Sequence, residues 1–402
     1  MNRRSFVQTL GASAVGLAAL DTKLGAQAPA AQTVLAQTGR ATRGDVAGLI
    51  RIGSNENPYG PSPMAIQAVN ATATGANRYP GPATDKLVAT IAEKFGVPTD
   101  YVLLSGGSGD ILRSVSTAFT SKTKAIVGGT PSYASPMRTA EALGNPVKSI
   151  PLAADLTLDL DRMVAASMGA GVFYICNPNN PTGTSLPAAA IEAAIVKVLT
   201  KSPTTHVLVD EAYFEYSDLP GFATAAPLTK KYPQVIIART FSKIHGMAGM
   251  RVGYALAQPK TLEAMRRYHS GSGLSVMSLS AATASLLDTA NQAQNIAMNR
   301  EVRAMTVAAF ETAGFKVAKS DANFIFVDIK RDAAGFQDGC RKLGVAVGRT
   351  FPPMLTHARI SIGTKAEMET AIPVFMKVLA VPPLSAANID YDALAKLPTE
   401  NT

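Results

Sequence analysis

Lys243 stands in the segment Ala-Arg-Thr-Phe-Ser-Lys-Ile-His-Gly-Met-Ala-Gly-Met-Arg-Val-Gly (238–253), with the hydroxyls of Thr240 and Ser242 just ahead of it and Arg251 eight residues on. An amine beside hydroxyls and a fixed guanidinium suits a ligand with an aldehyde at one end and a phosphate at the other. The amine forms a Schiff base, while the hydroxyls and the arginine fork hold phosphate oxygens. Taken alone, a lysine after a serine is more often an ordinary surface lysine on a loop. Four further stretches bear on that choice. Ser105-Gly106-Gly107-Ser108-Gly109-Asp110 lies between a short apolar run and a helical pattern; it is either an anion site at a helix N-terminus or a turn that needs glycine for its backbone angles. Tyr133, in Pro131-Ser132-Tyr133, either stacks on a flat ring or merely packs. The proline-locked turn Asn177-Pro178-Asn179-Asn180-Pro181-Thr182-Gly183 fixes the Asn180 amide at a strand end. Asp210 closes the apolar run Val207-Leu208-Val209, where an unpaired acid is costly to bury; it pairs with a protonated ring nitrogen or caps a helix.

These residues share a placement. Apolar runs at 102–104, 125–127, 171–176, 206–209, 235–238 and 252–257 alternate with helical patterns at 84–95, 111–119 and 186–199. That rhythm predicts an α/β unit with a mostly parallel sheet, its ligands at the strand C-terminal ends. Ser108, Gly109, Tyr133, Asn180, Asp210 and Lys243 all fall at such ends or just beyond. Ahead of this unit, Leu49, Ile50 and Ile52 lead into the turn-rich Gly53–Pro61, followed by a helical pattern at 64–69. Beyond Leu274 the pattern is helical to Ala313, with Arg300 and Arg303 expected on solvated faces. Short strands follow at 324–329, 345–347 and 359–362, which reads as a second, smaller α+β unit.

At 402 residues the chain favours two compact units. The net charge of +9 is spread along the sequence without a basic run, which argues for a surface that tolerates anionic ligands and against a nucleic-acid groove. Two distant cysteines, Cys176 and Cys340, read as buried thiols, and four scattered histidines offer no metal-ligand pattern. The first residues are different in kind. Arg3-Arg4, an uncharged run to Leu20 and Ala26-Gln27-Ala28 resemble a twin-arginine export signal; the run is too short and too glycine-broken to insert stably in a membrane. The expected organisation is a signal at 1–28, a linker at 29–45, a segment at 46–75 joining the small domain, a large domain at 76–290, a small domain at 291–381 and a peripheral tail at 382–402. The expected location is periplasmic or otherwise exported.

Taken jointly, Asn55-Glu56-Asn57-Pro58, Asn77-Arg78-Tyr79-Pro80, Pro131-Ser132-Tyr133, Asn179–Gly183, Asp210-Glu211-Ala212-Tyr213, Ser242-Lys243 with Arg251, and Arg359-Ile360-Ser361-Ile362-Gly363 resemble the fold-type I pyridoxal-phosphate aminotransferases of class I/II, within them the histidinol-phosphate aminotransferase group. The likeness spans roughly residues 46–380. It implies a large domain with a mostly parallel, seven-stranded mixed sheet and a smaller α+β domain. It implies that Lys243 carries pyridoxal 5'-phosphate and moves the proton, that Asp210 keeps the pyridine nitrogen protonated, and that Asn180 and Tyr213 bond the ring oxygen. Tyr133 would stack on the ring. Ser108, Gly109, Thr240, Ser242 and Arg251 would hold the phosphate, with Tyr79 reaching across a homodimer to the neighbouring subunit's phosphate. Arg359 would meet the substrate's anionic group, and Tyr59 and Arg349 would line the cleft. The implied partners are an amino donor and a 2-oxo acid acceptor, in ping-pong turnover, with the export machinery as a transient partner. A decarboxylase, lyase or cyclase on the same cofactor, or a non-catalytic cofactor-binding protein, are the alternatives. One departure from the pattern is Gly109-Asp110, where the family often carries two acids.

Overall fold

The computed structural model describes residues 48–271 and 273–380. The expected signal, linker and tail lie outside the described residues. The described chain opens on β1 (Ile50–Ile52) and then builds β2 (Val102–Ser105), β3 (Ile126–Thr130), β4 (Val147–Pro151), β5 (Val172–Cys176), β6 (His206–Asp210), β7 (Val235–Thr240) and β8 (Gly253–Leu256). Strands β2 to β8 form one seven-stranded sheet in the order β2-β8-β7-β6-β5-β3-β4. Neighbours from β4 through β7 pair in parallel, and β8 is antiparallel to both β7 and β2. Only β8 therefore runs against the rest.

Such a sheet is covered on both faces, so its central strands are apolar throughout instead of alternating. All five residues of β5 and all six of β7 are buried. One face packs Phe173, Ile175, Val207, Val209 and Ile237 with residues of the helices at 81–95, 188–201 and 276–287. The other packs Tyr174, Cys176, Leu208 and Ile236 with the helix Ser108–Phe119. Cys176 and Cys340 are both buried and unpaired.

The remaining strands are β9 (Lys316–Val317), β10 (Phe324–Asp328), β11 (Val345–Val347) and β12 (His357–Ser361). They form an antiparallel sheet β12-β10-β9, and β11 pairs in parallel with β1. The helices Thr289–Thr312, Ala333–Lys342 and Lys365–Ala380 close over a separate core of Phe310, Phe336, Phe375, Ile325, Val327 and Ile360. Among the described residues no helix is long and apolar enough to cross a membrane.

Two local expectations are corrected. The second helix begins at Gly81, not Thr84. Pro82 sits in its first turn, where the missing N–H costs nothing, and Gly96 ends it in the left-handed region (φ 58°). Arg303 is buried, not solvated: its Nη1 donates to the Ala322 carbonyl at 2.8 Å. Gln292, Asn295 and Asn299 of the same helix are also buried; Asn299 Nδ2 shares the Ala322 carbonyl at 3.3 Å, whereas Gln292 Nε2 donates to the Ser285 carbonyl at 2.8 Å. Arg300 is exposed, paired with Asp218.

Candidate active site

A cavity of about 1090 Å³ opens at the C-terminal ends of the parallel strands and extends to β11 and β12. Its lining includes Ser108, Gly109, Tyr133, Asn180, Asp210, Tyr213, Thr240, Ser242, Lys243, Arg251, Arg349 and Arg359. Twelve expected site residues thus converge from chain positions 108 to 359.

At one end the helix Ser108–Phe119 starts without a side-chain cap, leaving its first N–H groups and its positive dipole end to a ligand. Arg251 lies against this turn in the left-handed region (φ 56°), its Nη2 donating to the Gly106 carbonyl at 3.1 Å and its Nη1 to the Ala248 carbonyl at 2.9 Å. A Cβ at Gly107, whose φ is 95°, would push the Arg251 guanidinium out of its present position. Thr240 Oγ1 donates to Ser242 Oγ at 3.0 Å and accepts from the Ser242 N–H at 3.0 Å, so β7 delivers both hydroxyls to the same corner. Backbone donors, two hydroxyls and a guanidinium make a phosphate cradle.

Asp210 ends β6 and is 3% exposed. Among the described residues its carboxylate accepts from the Ala212 N–H (3.2 Å) and, at long range, from the Tyr174 hydroxyl (3.4 Å). Burial pushes it up to about 7, against those hydrogen bonds and the Lys243 charge. Tyr213 OH accepts from Asn55 Nδ2 (3.0 Å) and Asn180 Nδ2 (3.4 Å). The Pro131–Tyr133 loop is tied to the Asn180 turn by Ser132 Oγ donating to Asn179 Oδ1 at 2.7 Å. Lys243 Nζ donates to the carbonyls of Ser54 (3.2 Å) and Asn55 (3.0 Å) and lies 5.6 Å from the Tyr213 ring centre. Burial and then the Arg359 charge lower it to about 8, with Glu56 and Asp210 opposing.

Arg359, on β12, donates from Nη1 to Asn180 Oδ1 at 2.8 Å and from Nη2 to the Gly53 carbonyl at 2.6 Å. Its Nε is buried without a partner, and burial lowers the group to about 10. Arg349 is exposed at the rim, 4.3 Å from the Phe351 ring centre. Tyr59 and Tyr79 are not among the lining residues. The Tyr59 N–H donates to Asn57 Oδ1 at 3.1 Å, and the Tyr79 side chain is 99% exposed on the surface.

These residues fit pyridoxal phosphate. The uncapped helix turn and Arg251 suit its phosphate, and the isolated buried Asp210 lacks the cation that a protonated ring nitrogen supplies. Tyr213 and Asn180 present polar groups to a ring oxygen, and Lys243 is the amine within reach. Tyr174 escapes a reading of motifs by spacing, and Asn55 and Ser361, though part of quoted motifs, carry no expected role there. Tyr174 touches Asp210 because β5 and β6 pair Cys176 with Asp210 in register, which strand alternation from Cys176 would have signalled. Asn55 and Ser361 meet across 306 residues, a contact no local pattern reveals. Among the described residues no cluster of acidic, histidine or cysteine groups could hold a metal ion.

Residues 47–375 match the family model described as aminotransferase class I and II. The chain is 36% identical over 320 residues to a histidinol-phosphate aminotransferase of Symbiobacterium thermophilum, covering 79% of this chain and 86% of that protein. It is 33% identical over 328 residues to an aromatic amino acid aminotransferase of Thermobifida fusca, covering 81% and 89%. Its fold is similar to the crystal structure of histidinol-phosphate aminotransferase from Sinorhizobium meliloti in complex with pyridoxal 5'-phosphate, with a TM-score of 0.76 and 26% identity over 82% of this chain and 90% of that one.

Proposed function

The chain belongs to the class I and II aminotransferases and uses pyridoxal phosphate, and from that premise we propose that it is an exported homodimer moving an amino group between an amino acid or amine with an anionic group and a 2-oxo acid. The observation that carries the substrate class is Arg359, which lines the cavity with its guanidinium held at Nη1 by Asn180 and at Nη2 by Gly53. A guanidinium fixed in this way presents a directed donor to a carboxylate or phosphate. Arg349 at the rim adds a second positive group for a substrate's distal end.

When bound, the cofactor supplies a carbonyl for the amino group and an electron-withdrawing ring. The chain does the rest. The N–H groups of Ser108 and Gly109, with Thr240, Ser242 and Arg251, anchor the phosphate. Asp210 holds the ring nitrogen in its protonated form, Asn180 and Tyr213 bond the ring oxygen, and Tyr133 covers a ring face. Lys243 Nζ, lowered to about 8, takes the proton from the substrate Cα as a base near neutral pH. Tyr79, exposed ahead of the helix Gly81–Phe95, reaches the phosphate of a second copy.

Arg3-Arg4 and the uncharged run behind them support export in folded, loaded form. An exported enzyme is separated from phosphorylated biosynthetic intermediates made in the cytoplasm, which favours free amino acids as donors; the similarity to the Thermobifida fusca protein agrees with an aromatic donor. The test is a single-turnover screen of loaded protein against aromatic and basic amino acids and histidinol phosphate, read as conversion of the cofactor to its aminated form with release of a keto product. Turnover by free amino acids is expected. Conversion by histidinol phosphate alone would overturn the donor assignment, and no conversion by any amine would overturn the reaction. Retention of an Arg3→Lys, Arg4→Lys double variant in the cytoplasm is the expected sign of the export route; unchanged export would overturn it.

A further inference from the structure

We propose that the backbone carbonyls of Ser54 and Asn55 form a berth for the Lys243 amine whenever it is not joined to the cofactor, and that Asn55 ties this berth to Tyr213, making it a positioning residue for both groups. The inference rests on Lys243 being the amine that engages the cofactor. Asn55 is 1% exposed and adopts φ 55°, a left-handed conformation that asparagine tolerates better than most residues. Two consecutive carbonyls at this bend reach the same nitrogen, at 3.2 and 3.0 Å. Every other polar group of Asn55 is also used. Its N–H donates to Ser361 Oγ at 2.8 Å, its Oδ1 accepts from the same hydroxyl at 2.9 Å, and its Nδ2 donates to Tyr213 OH at 3.0 Å. Its carbonyl also accepts from Asn323 Nδ2 at 3.1 Å. Asn57 Nδ2 pins the segment to the lysine loop through the Ile244 carbonyl at 2.9 Å.

An ammonium has three donors and no acceptor, so two carbonyls suit it. A neutral amine turns a lone pair towards one of them or gives up a bond. The berth therefore favours the protonated lysine and opposes the burial that disfavours it. The charged and titratable groups facing the amine are Arg359 on β12, Arg251 ahead of β8, Asp210 at the end of β6, Glu56 in the berth segment and Tyr213. Of these only Tyr213 is bonded to the Asn55 side chain, and burial raises its hydroxyl so that it stays neutral in this pH range; a change in the proton affinity of Lys243 would therefore report the berth. When substrate frees the lysine, the berth gives the amine a resting place within the cavity. The Asn55 amide holds the Tyr213 oxygen throughout.

The test uses cofactor-free protein and therefore does not depend on turnover. The pH midpoint of Lys243 acylation is measured by competitive labelling and mass spectrometry, with exposed Lys365 as internal reference. Asn55→Ala, which loses the side chain and disfavours the left-handed backbone, should lower the midpoint so that Lys243 labels about tenfold faster near neutral pH, the effect of losing about one charge-assisted hydrogen bond. Asn55→Gly keeps the backbone conformation and should lower it less. Ser361→Ala, which unpins Asn55 from β12, should shift the midpoint in the same direction and serves if Asn55→Ala does not fold. Folded variants with an unchanged midpoint would overturn the proposal. Failure of every amine to react with loaded protein would instead overturn the aminotransfer reading and leave this measurement standing.

Discussion

Replacing Asp210 with asparagine should stabilise the cofactor-free protein at neutral and alkaline pH, and the size of the effect follows from where the carboxyl sits. Asp210 is 3% exposed, its two hydrogen bonds are long, and burial raises it from 3.8 to about 7. A raised carboxyl means that the folded chain holds the proton more tightly than the unfolded chain. Its contribution to stability is complete below about pH 4 and is lost as pH climbs through about 7. The gap corresponds to about 4 kcal/mol, an upper figure because water drawn to the ionised group relieves part of it. An amide of the same shape carries no such penalty. The Asp210→Asn protein should match wild type near pH 4 and exceed it by about 2–4 kcal/mol near pH 8. Thermal and urea unfolding of cofactor-free protein across that range would read the difference. With pyridoxal phosphate bound the order should invert, because Asp210 then faces a protonated ring nitrogen and asparagine cannot pair with it. Equal pH slopes for the two cofactor-free proteins would refute the view that Asp210 is a buried carboxylate waiting for a cation.

Three further outcomes are expected. The rate at which cofactor-free protein captures pyridoxal phosphate should rise about tenfold per pH unit below about 8 and level off above it, since only the neutral Lys243 amine attacks and the group is lowered to about 8; stopped-flow absorbance would show a flat profile if the lysine were not the nucleophile. Gly107→Ala should weaken cofactor affinity by about 10–100-fold, as for loss of a charged hydrogen-bonding group, because a Cβ there displaces Arg251; equilibrium dialysis would measure it, and unchanged affinity would separate Arg251 from the phosphate. Arg359→Lys should raise KM for anionic amino donors by about 10–100-fold with a smaller effect on kcat, since lysine keeps the charge and loses the fork held by Asn180 and Gly53; a fall in kcat alone would place Arg359 outside substrate binding.

What could be read from the chain beforehand was local. Runs such as Val172–Cys176 and Val207–Val209 announce strands covered on both faces because they lack alternation, and the polar residues closing them mark the functional edge of the sheet. The expected cofactor contacts, Tyr79 apart, were accessible for that reason: each sits within a few positions of a strand end. Strand β4 escaped, being an edge strand whose Lys148 and Ser149 are exposed. Arg303 was misjudged because its partner, the Ala322 carbonyl, comes from a turn that helix periodicity says nothing about. Asn55 was visible as part of a motif but not as a junction, since its contacts with Tyr213, Lys243 and Ser361 lie 158 to 306 residues away.

The order of strands explains why this site needs both halves of the described chain. Read across the sheet as β2, β8, β7, β6, β5 and β3, its working edge presents the uncapped helix turn, the arginine ahead of β8, the hydroxyls and lysine after β7, the acid of β6, the amide after β5 and the tyrosine after β3. Neighbouring strands are about 4.8 Å apart, so a phosphate at one side and a ring nitrogen and ring oxygen further along meet their partners without any strand bending out of place. On the proposed reading the sheet edge carries the cofactor contacts made within one copy, and the guanidinium groups for a substrate lie elsewhere. Arg359 and Arg349 come instead from β12 and the turn after β11, and Arg359 reaches the sheet through Asn180. The same amide that should bond the cofactor's ring oxygen through its nitrogen thus carries the substrate-facing guanidinium on its oxygen. Asn180→Ala should accordingly weaken cofactor and anionic substrate together, whereas asparagine replaced by aspartate, which strengthens the pairing with Arg359 but removes the amide donor, should spare substrate affinity and weaken cofactor retention. Loss of only one of the two affinities in Asn180→Ala would show that the amide serves one partner only.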